Sequence, residues 1–164
     1  MKFKDLMRNV RDNRSGEEWK PPKRILALDP GETVGYAKFN NGLLAEADEI
    51  TGAANDCNTK AESVFTQVAD LISSYSPDIV VMENYKIYQW KTKTHTWSEL
   101  FTPRLIGAIE LACYKNKIPM AKQMASTAKS FCTNDKLKKW KFYTKGSAHA
   151  RDAVRHGCYY LLFG

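Results

Sequence analysis

The sequence lacks the features that mark several common classes of protein. Its four cysteines, Cys57, Cys113, Cys132 and Cys158, include no pair at the short spacing that zinc ribbons and redox motifs require. No apolar run approaches the roughly 20 residues that cross a bilayer, and the N-terminal residues are too polar for a signal peptide. We therefore expect reduced cysteines with structural roles, no membrane partner and a cytoplasmic protein.

Acidic residues are scarce in the C-terminal half of the chain, which as a whole carries a net charge of +7. Residues 84–164 contain fifteen basic and four acidic side chains, whereas residues 25–83 contain two basic and ten acidic ones. Between Glu110 and Asp152 the only acidic residue is Asp135, and nine lysines lie in that stretch. Lysines that meet phosphates release condensed counterions, so this distribution favours a nucleic-acid partner over a merely solvated lysine surface.

The hydrophobic pattern predicts one domain with a short N-terminal appendage. At 164 residues the chain can bury a core without disulfides. Residues 1–24 combine a short amphipathic helix with a polar, proline-broken linker, and they carry eight basic against four acidic side chains. We interpret residues 1–24 as a basic appendage and residues 25–164 as the main domain.

Strands and helices alternate along the main domain. Strands are predicted at 25–29, 34–39, 43–50, 78–83 and 118–123, with a hairpin turn at Asn40-Asn41-Gly42. A helix is predicted from a cap at Asn58 or Thr59 to Tyr75, and a second from Thr102-Pro103 to 115. Shorter or later helices are predicted over 126–131, 134–140 and 147–163. Three antiparallel strands followed by alternating helices and strands predict an α/β, ribonuclease H-like fold, with a mixed five-stranded sheet and helices on both faces.

Four polar residues are placed where these elements would bring them together. Asp29 and Glu83 each end a buried strand, and His149 and Asp152 lie three apart on the last helix, where both can meet one metal ion. A carboxylate is costly to bury unpaired, which favours a metal ion as its companion. Each signal has a simpler alternative, since Asp29 could accept backbone hydrogen bonds in its Pro-Gly turn and Glu83 could be a solvated strand end.

We interpret these four residues as ligands of divalent ions that hydrolyse a phosphodiester. Two ions bridged by Asp29 would activate a water and stabilise the leaving 3′ oxygen, which produces a 5′ phosphate and a 3′ hydroxyl. Oxygen-rich ligands favour Mg²⁺, with Mn²⁺ as the substitute. His156 shares the helix face of His149 and Asp152, and we expect it to be a supporting or core group rather than a ligand.

The stretch from Asn84 to Ser98 has no acidic residue and interleaves aromatic with basic side chains. Aromatic planes stack on unpaired bases while lysines follow the backbone, so we expect DNA contacts from Tyr85, Lys86, Tyr88, Trp90, Lys91 and Lys93. Further DNA contacts are expected from Lys122, Lys136, Lys138 and Lys139 in the basic segment. The alternative is that the aromatics cap the sheet and the loop is merely exposed.

Three motifs resemble the RuvC-like Holliday junction resolvases of the ribonuclease H-like superfamily. ILALDPGETVGYAKF resembles their first strand and turn, DIVVMENYKIY their second acidic strand, and SAHARDAVRHGCYYLLF their last helix. AKSFCTNDKLKKW is a weaker match to their lysine-bearing stretch, and the likeness covers residues 24–163. The small size and the divergent middle are similar to a virus-encoded branch of the family.

The resemblance implies an endonuclease that cuts four-way or other branched DNA, with residues 25–164 as its nuclease domain. It implies that Lys129 and, more loosely, Lys136 hold phosphate or stabilise the transition state. An aromatic wedge is implied at Tyr85 or Tyr88.

The chain departs from the family at one proposed ligand, and the same resemblance implies an assembly. The family more often has an acidic residue where His149 stands. The total charge of the four ligands is therefore less negative here, and the contribution of His149 to it depends on pH near neutrality. The apolar helix from 103 to 115 is where the family pairs its subunits, which implies a homodimer. From the sequence alone this helix could equally be buried within one chain.

Other functions remain open on the residues alone. The same fold and metal site could cut RNA in hybrids, flaps or single-stranded DNA, because the acids specify the reaction and the surface selects the substrate. DPGETVG also resembles the first phosphate loop of actin-like phosphotransferases, but the second phosphate loop and the adenosine glycine pair of that superfamily are missing. A non-catalytic DNA-binding protein would have no use for a cage of metal ligands.

Overall fold

A five-stranded mixed sheet with helices on both faces forms the centre of the fold. The computed structural model describes residues 1–15, 20–53, 57–85 and 97–164. Its elements are α1 (Phe3–Ser15), β1 (Arg24–Asp29), β2 (Thr33–Asn40), β3 (Leu43–Thr51), α2 (Cys57–Tyr75), β4 (Ile79–Glu83), α3 (Trp97–Lys115), β5 (Met120–Gln123), α4 (Ala125–Phe131), α5 (Asn134–Trp140) and α6 (Ala148–Phe163). Within the described ranges no helix is both long and apolar enough to cross a membrane.

The strand order, β3-β2-β1-β4-β5, places the two acidic strands side by side. β1 pairs with β2 and β2 with β3 in antiparallel fashion, whereas β4 is parallel to both β1 and β5. This topology confirms the ribonuclease H-like α/β fold predicted from the order of elements. Because β1 and β4 run parallel, Asp29 and Glu83 end at the same edge of the sheet.

Alternation along β1 divides the core between the two faces of the sheet. Ile25 and Ala27 point into a cluster with α1, α5 and α6, and Leu26 and Leu28 point into a cluster with α2 and α3. All four side chains are fully buried. The period of two in a doubly covered strand therefore explains why ILAL is continuously apolar.

The N-terminal helix, expected to be an appendage, packs into the first of these clusters. Phe3 and Met7 are buried, and the Phe3 ring meets the Trp140 ring edge-on with centroids 5.0 Å apart. The guanidinium of Arg11 donates to the carbonyl oxygens of Leu161 (3.1 Å) and Tyr160 (2.6 Å). These carbonyls belong to the last turn of α6, where a cation stabilises the free acceptors and the helix dipole. α1 is thus tied to the helix that carries His149 and Asp152.

The start of α3 differs from the prediction. The helix begins at Trp97 rather than at Thr102-Pro103, and Pro103 lies inside it. Proline fixes a helical φ and removes one backbone donor, while the added N-terminal residues bury Phe101 against Phe65, with ring centroids 5.6 Å apart. Burial of this aromatic ring explains why the helix extends past the expected cap.

Two glycines allow α6 to lie against the sheet. A Cβ on Gly35 in β2 would lie 2.0 Å from the carbonyl oxygen of His149, and a Cβ on Gly157 would lie 2.1 Å from the Phe39 ring. Both distances are far below van der Waals contact. Since Gly35 is the strand partner of Asp29, this close approach sets how near the first turn of α6 comes to the acidic end of β1.

We expect Gly35→Ala to push the start of α6 from the sheet and to lower the free energy of unfolding by about 1–3 kcal/mol, because backbone rather than a flexible side chain meets the new methyl. Urea denaturation measures this change. Gly107→Ala is the control, since a Cβ there meets no atom of the described residues within 4 Å and lies in a helix. A Gly35→Ala protein as stable as the parent would contradict the packing argument.

Candidate functional site

The candidate site lies where β1, β4 and the first turns of α6 meet. Ser147 caps α6, and its hydroxyl accepts a hydrogen bond from the backbone N–H of Ala150 at 3.2 Å. The first turn presents His149, whose Nδ1 lies 3.2 Å from Oδ2 of the buried Asp29. The helix cap and the strand end therefore bring together two residues that are 120 positions apart in sequence.

Lys129, from α4, forms ion pairs with both Glu83 and Asp152. Its Nζ lies 2.9 Å from Oδ2 of Asp152 and 3.5 Å from Oε2 of Glu83. All five residues proposed as catalytic from the sequence thus lie in one connected group. We call Asp29, Glu83, Asp152, Lys129 and His149 the acidic cluster.

Arg155 supports Asp152 and was not singled out from the sequence. Its Nη1 makes a close ion pair with Asp152 Oδ1, its Nε donates to the carbonyl of Cys132 at 3.0 Å, and its Nη2 donates to Asn134 Oδ1 at 2.5 Å. The guanidinium therefore links α6 to Cys132, just after α4, and to the first residue of α5. The three-residue spacing from Asp152 is a sequence signal that could have identified it.

His156 lies beneath the acidic cluster and is completely buried. Its Nε2 is 3.5 Å from Glu83 Oε2, and its Nδ1 is 3.1 Å from the side-chain amide of Gln123. Asp29, Glu83 and His156 each offer one ligand atom within 4.8 Å of the others, so this trio is sterically able to hold a metal ion. Gln123 was not foreseen from the sequence, because its position depends on pairing between β4 and β5.

The acids titrate differently because their surroundings differ. Burial raises the pKa of Asp29 to about 6; the Lys129 charge opposes this shift, and the Glu83 charge adds to it. For Glu83 the nearby His156 imidazole lowers the pKa and outweighs burial, with further help from Lys129. Burial lowers the pKa of Lys129, but the hydrogen bond to Asp152 and the nearby acids outweigh it, so its pKa is raised overall. The neighbouring carboxylates thus favour the charged form of Lys129, whereas burial above all makes Asp29 costly to ionise.

The acidic cluster has the donors that a divalent cation needs. Glu83 Oε2 is buried and completes no hydrogen bond within the described part of the chain. Buried acceptors without partners are rare in folded proteins. Carboxylate oxygens are the preferred ligands of Mg²⁺ and Mn²⁺, so the residues present fit such an ion.

Of the residues expected to contact DNA from the segment after β4, Tyr85 is described and is half-buried. Lys86, Tyr88, Trp90, Lys91 and Lys93 lie outside the described residues. The prediction of an aromatic and basic DNA contact in this stretch therefore remains a prediction.

The expected DNA-binding lysines differ in their surroundings. Lys122 makes a close ion pair with Glu110 of α3, and Lys136 donates to the carbonyl of Phe131 at 2.8 Å. Lys138 and Lys139 are exposed in the last turn of α5. Of these four, Lys138 and Lys139 are the exposed pair on one helix.

No family model and no curated protein sequence matches this chain. Solved structures do match it. RuvC of Thermus thermophilus, in complex with a Holliday junction substrate, has a TM-score of 0.70 at 11% identity, covering 85% of this chain and 93% of RuvC. The yeast mitochondrial Holliday junction resolvase Ydc2 has a TM-score of 0.61 at 12% identity, covering 96% of this chain and 86% of Ydc2.

A third solved structure is the fowlpox virus resolvase, in complex with Holliday junction DNA. Its TM-score is 0.53 at 16% identity, and the match covers 84% of this chain and 96% of the viral protein. At such low identities a structural likeness establishes the fold. The fold confirms the resemblance drawn from the three motifs: this chain has the ribonuclease H-like fold of the RuvC-type Holliday junction resolvases.

Proposed function

We propose that this protein is a metal-dependent endonuclease that resolves Holliday junctions or other branched DNA. The observation that carries the proposal is the convergence of Asp29, Glu83 and Asp152, from three separate elements, around the ammonium of Lys129. A hydrophobic core has no need of such a group. Crowded carboxylates at the edge of this fold are suited to phosphodiester hydrolysis.

The residues of the acidic cluster divide the work. The chemistry supplied by bound Mg²⁺, or Mn²⁺ in its place, is activation of a water and stabilisation of the leaving 3′ oxygen, which gives a 5′ phosphate and a 3′ hydroxyl. Asp29, Glu83, His149 and Asp152 are the proposed ligands. His149 also restrains Asp29 through its Nδ1 contact, and Arg155 restrains Asp152 through their ion pair.

Lys129 is proposed to act on the substrate. Its side chain is 41% exposed, so the ammonium can reach a phosphate that lies over the acids. It also makes ion pairs with Glu83 and Asp152. Its charge would stabilise the negative charge that builds up on the phosphate in the transition state.

A homodimer suits a substrate that has two strands to cut. α3 buries Leu105 and Ile109 against the sheet and α2, and it exposes Leu111 and Tyr114, which are 53% and 83% accessible. The apolar helix predicted from 103 to 115 is thus buried on one side and exposed on the other. We propose that the uncovered side of α3 pairs with a second copy about a two-fold axis.

Cleavage of a panel of synthetic substrates tests the proposed function. We expect Mg²⁺ to support paired nicks in a four-way junction and much slower cutting of plain duplex, because the product pattern of a dimeric resolvase is symmetric. Flaps, single strands and RNA–DNA hybrids form the other arms of the assay. Preferential cleavage of hybrids or flaps would reject junction resolution while keeping a nuclease, and no metal-dependent cleavage of any arm would reject both.

Asp29→Asn separates stability from activity. The folded pKa of about 6 lies above the ordinary aspartate value of 3.8, so ionisation of Asp29 penalises folding as pH rises through this interval and the penalty is complete above it. Without metal at pH 8, we expect Asp29→Asn to raise the free energy of unfolding by up to roughly 3 kcal/mol. Added Mg²⁺ should stabilise the parent protein and not the variant, which should be inactive.

Thermal unfolding in chelator and in Mg²⁺ measures both effects of Asp29→Asn. Asp70→Asn, on an exposed position of α2, is the charge-matched control and should respond to Mg²⁺ as the parent does. An Asp29→Asn protein that is less stable than the parent in chelator, or that retains cleavage, would be inconsistent with the proposed role.

Lys138→Gln/Lys139→Gln tests the DNA surface. Each lysine that neutralises a phosphate contributes about 0.9 to the slope of log affinity against log salt, so we expect weaker junction binding and a slope lower by about 2. Fluorescence anisotropy over a salt series, in chelator, gives both numbers. The control is Lys20→Gln/Lys23→Gln, an exposed pair before β1 at the opposite edge of the sheet; equal effects in both variants would mean that only net charge matters.

A further inference from the structure

His156 is a buried histidine to which the proposed chemistry assigns no task. It lies on α6 and its side chain is fully buried, yet both ring nitrogens lie near polar groups. Nε2 faces Oε2 of Glu83 at 3.5 Å, and Nδ1 faces the amide of Gln123 at 3.1 Å. Because a buried imidazole is costly without partners, these two contacts define what the ring can do.

Gln123 is held in register with Glu83. The two residues are strand partners at the ends of β5 and β4, and the carbonyl of Gln123 accepts a hydrogen bond from the backbone N–H of Asn84 at 2.7 Å. The Gln123 side chain points toward α6, where His156 and Tyr160 lie. Backbone pairing thus fixes the amide on one side of the imidazole and the carboxylate on the other.

The orientation of the Gln123 amide decides the tautomer of His156. When the amide oxygen faces Tyr160, it accepts a hydrogen bond from the backbone N–H of Tyr160 at 3.2 Å. The amide nitrogen then faces Nδ1 of His156 at 3.1 Å. The opposite orientation would set the amide N–H against the N–H of Tyr160, donor against donor. This hydrogen-bond pattern assigns the orientation. Since an amide nitrogen can only donate, Nδ1 must be the acceptor, and the ring proton resides on Nε2.

An Nε2–H group that faces Glu83 can donate a hydrogen bond to its carboxylate. Glu83 Oε2 and His156 Nε2 are both buried and each is without a completed hydrogen bond among the described residues, so a small closure of their 3.5 Å separation would satisfy both. A protonated Nε2 cannot bind a cation. The ring is therefore unsuited to be a ligand, although its distance to Asp29 and Glu83 would allow coordination.

We infer that Gln123 and His156 form a positioning relay, in which the amide fixes the imidazole tautomer and the imidazole Nε2–H holds the Glu83 carboxylate at the acidic cluster. The inference rests on the proposed function for its purpose, which is to keep Glu83 in place for metal binding. Hydrogen bonds to a metal-ligating group from residues behind it orient that group and raise metal affinity. His156 is thus a positioning residue that acts through Glu83.

The tautomer is measured on the metal-free protein. In a ¹⁵N-labelled sample, long-range proton–nitrogen NMR correlations distinguish protonated from unprotonated ring nitrogens, and comparison with His156→Gln assigns the His156 signals. We expect a protonated Nε2 and an unprotonated Nδ1. A proton on Nδ1 overturns the relay, whatever the enzyme does.

Paired substitutions test the donor. His156→Gln places an amide N–H near the position of Nε2, whereas His156→Met fills similar space without a donor. For Mn²⁺ binding followed by calorimetry, we expect His156→Met to weaken affinity by about 10- to 100-fold and His156→Gln to stay within a few-fold of the parent. The rate constant for junction cleavage at saturating DNA should follow the same order, while DNA affinity in chelator should be unchanged.

The outcomes separate the relay from the proposed function. If both variants lose Mn²⁺ affinity equally, or neither does, the donor role is rejected while the metal site stands. Thermal unfolding shows that each variant is folded, and Gln123→Met, which leaves His156 in place, provides a second route to a weakened relay. If the parent protein binds no Mn²⁺ at all, the proposed metal site fails and the purpose of the relay fails with it.

Discussion

The cost of ionising carboxylates that are buried close together at one edge of the sheet is the constraint on which this structure depends. Parallel pairing of β1 and β4 brings Asp29 and Glu83 together whether or not a cation is present. Burial makes the arrangement more costly, and the raised pKa of Asp29 records that cost. Lys129 and Arg155 offset it with positive charge from either side of Asp152. These positive charges reduce the repulsion within the acidic cluster, as a divalent ion bound there would.

The position of α6 turns this constraint into a site. Its first turn approaches β2 closely because Gly35 has no side chain, and its middle approaches Phe39 because Gly157 has none. Its last turn is held by Arg11 from α1. One helix thus carries His149 and Asp152 to the acids while it also forms much of the core. A change in its packing would alter stability and the geometry of the acidic cluster together, which is why glycine and N-terminal positions far from the cluster matter here.

Strand ends and helix spacing carry most of what could be predicted from the sequence. Asp29 and Glu83 follow buried apolar runs, and the three-residue interval between His149 and Asp152 places them on one helix face, so local pattern sufficed for the acids. The parallel direction of β4 was also predictable, because a helix must connect parallel strands. The lysine at 129 was found through its place in a family-like stretch, not through any local rule.

The parts that escaped prediction depend on tertiary register. Gln123 faces His156 because β5 pairs with β4 at one particular register, and Gly35 matters because α6 crosses β2 at that residue. Neither relation has a signature in nearby sequence. The Thr102-Pro103 pair predicts too late a start for α3, because the helix extends toward its N-terminus to bury Phe101, and that burial depends on tertiary packing. Arg155, by contrast, could have been found from its spacing to Asp152.

The central claim is that the acidic cluster is a divalent metal site, and an anomalous difference map of crystals containing Mn²⁺ tests it most directly. We expect a Mn²⁺ peak within bonding distance of the carboxylates of Asp29 and Glu83, with the Lys129 ammonium displaced from Glu83. A map without a peak at these acids, in which Lys129 still bridges Glu83 and Asp152, would contradict the claim.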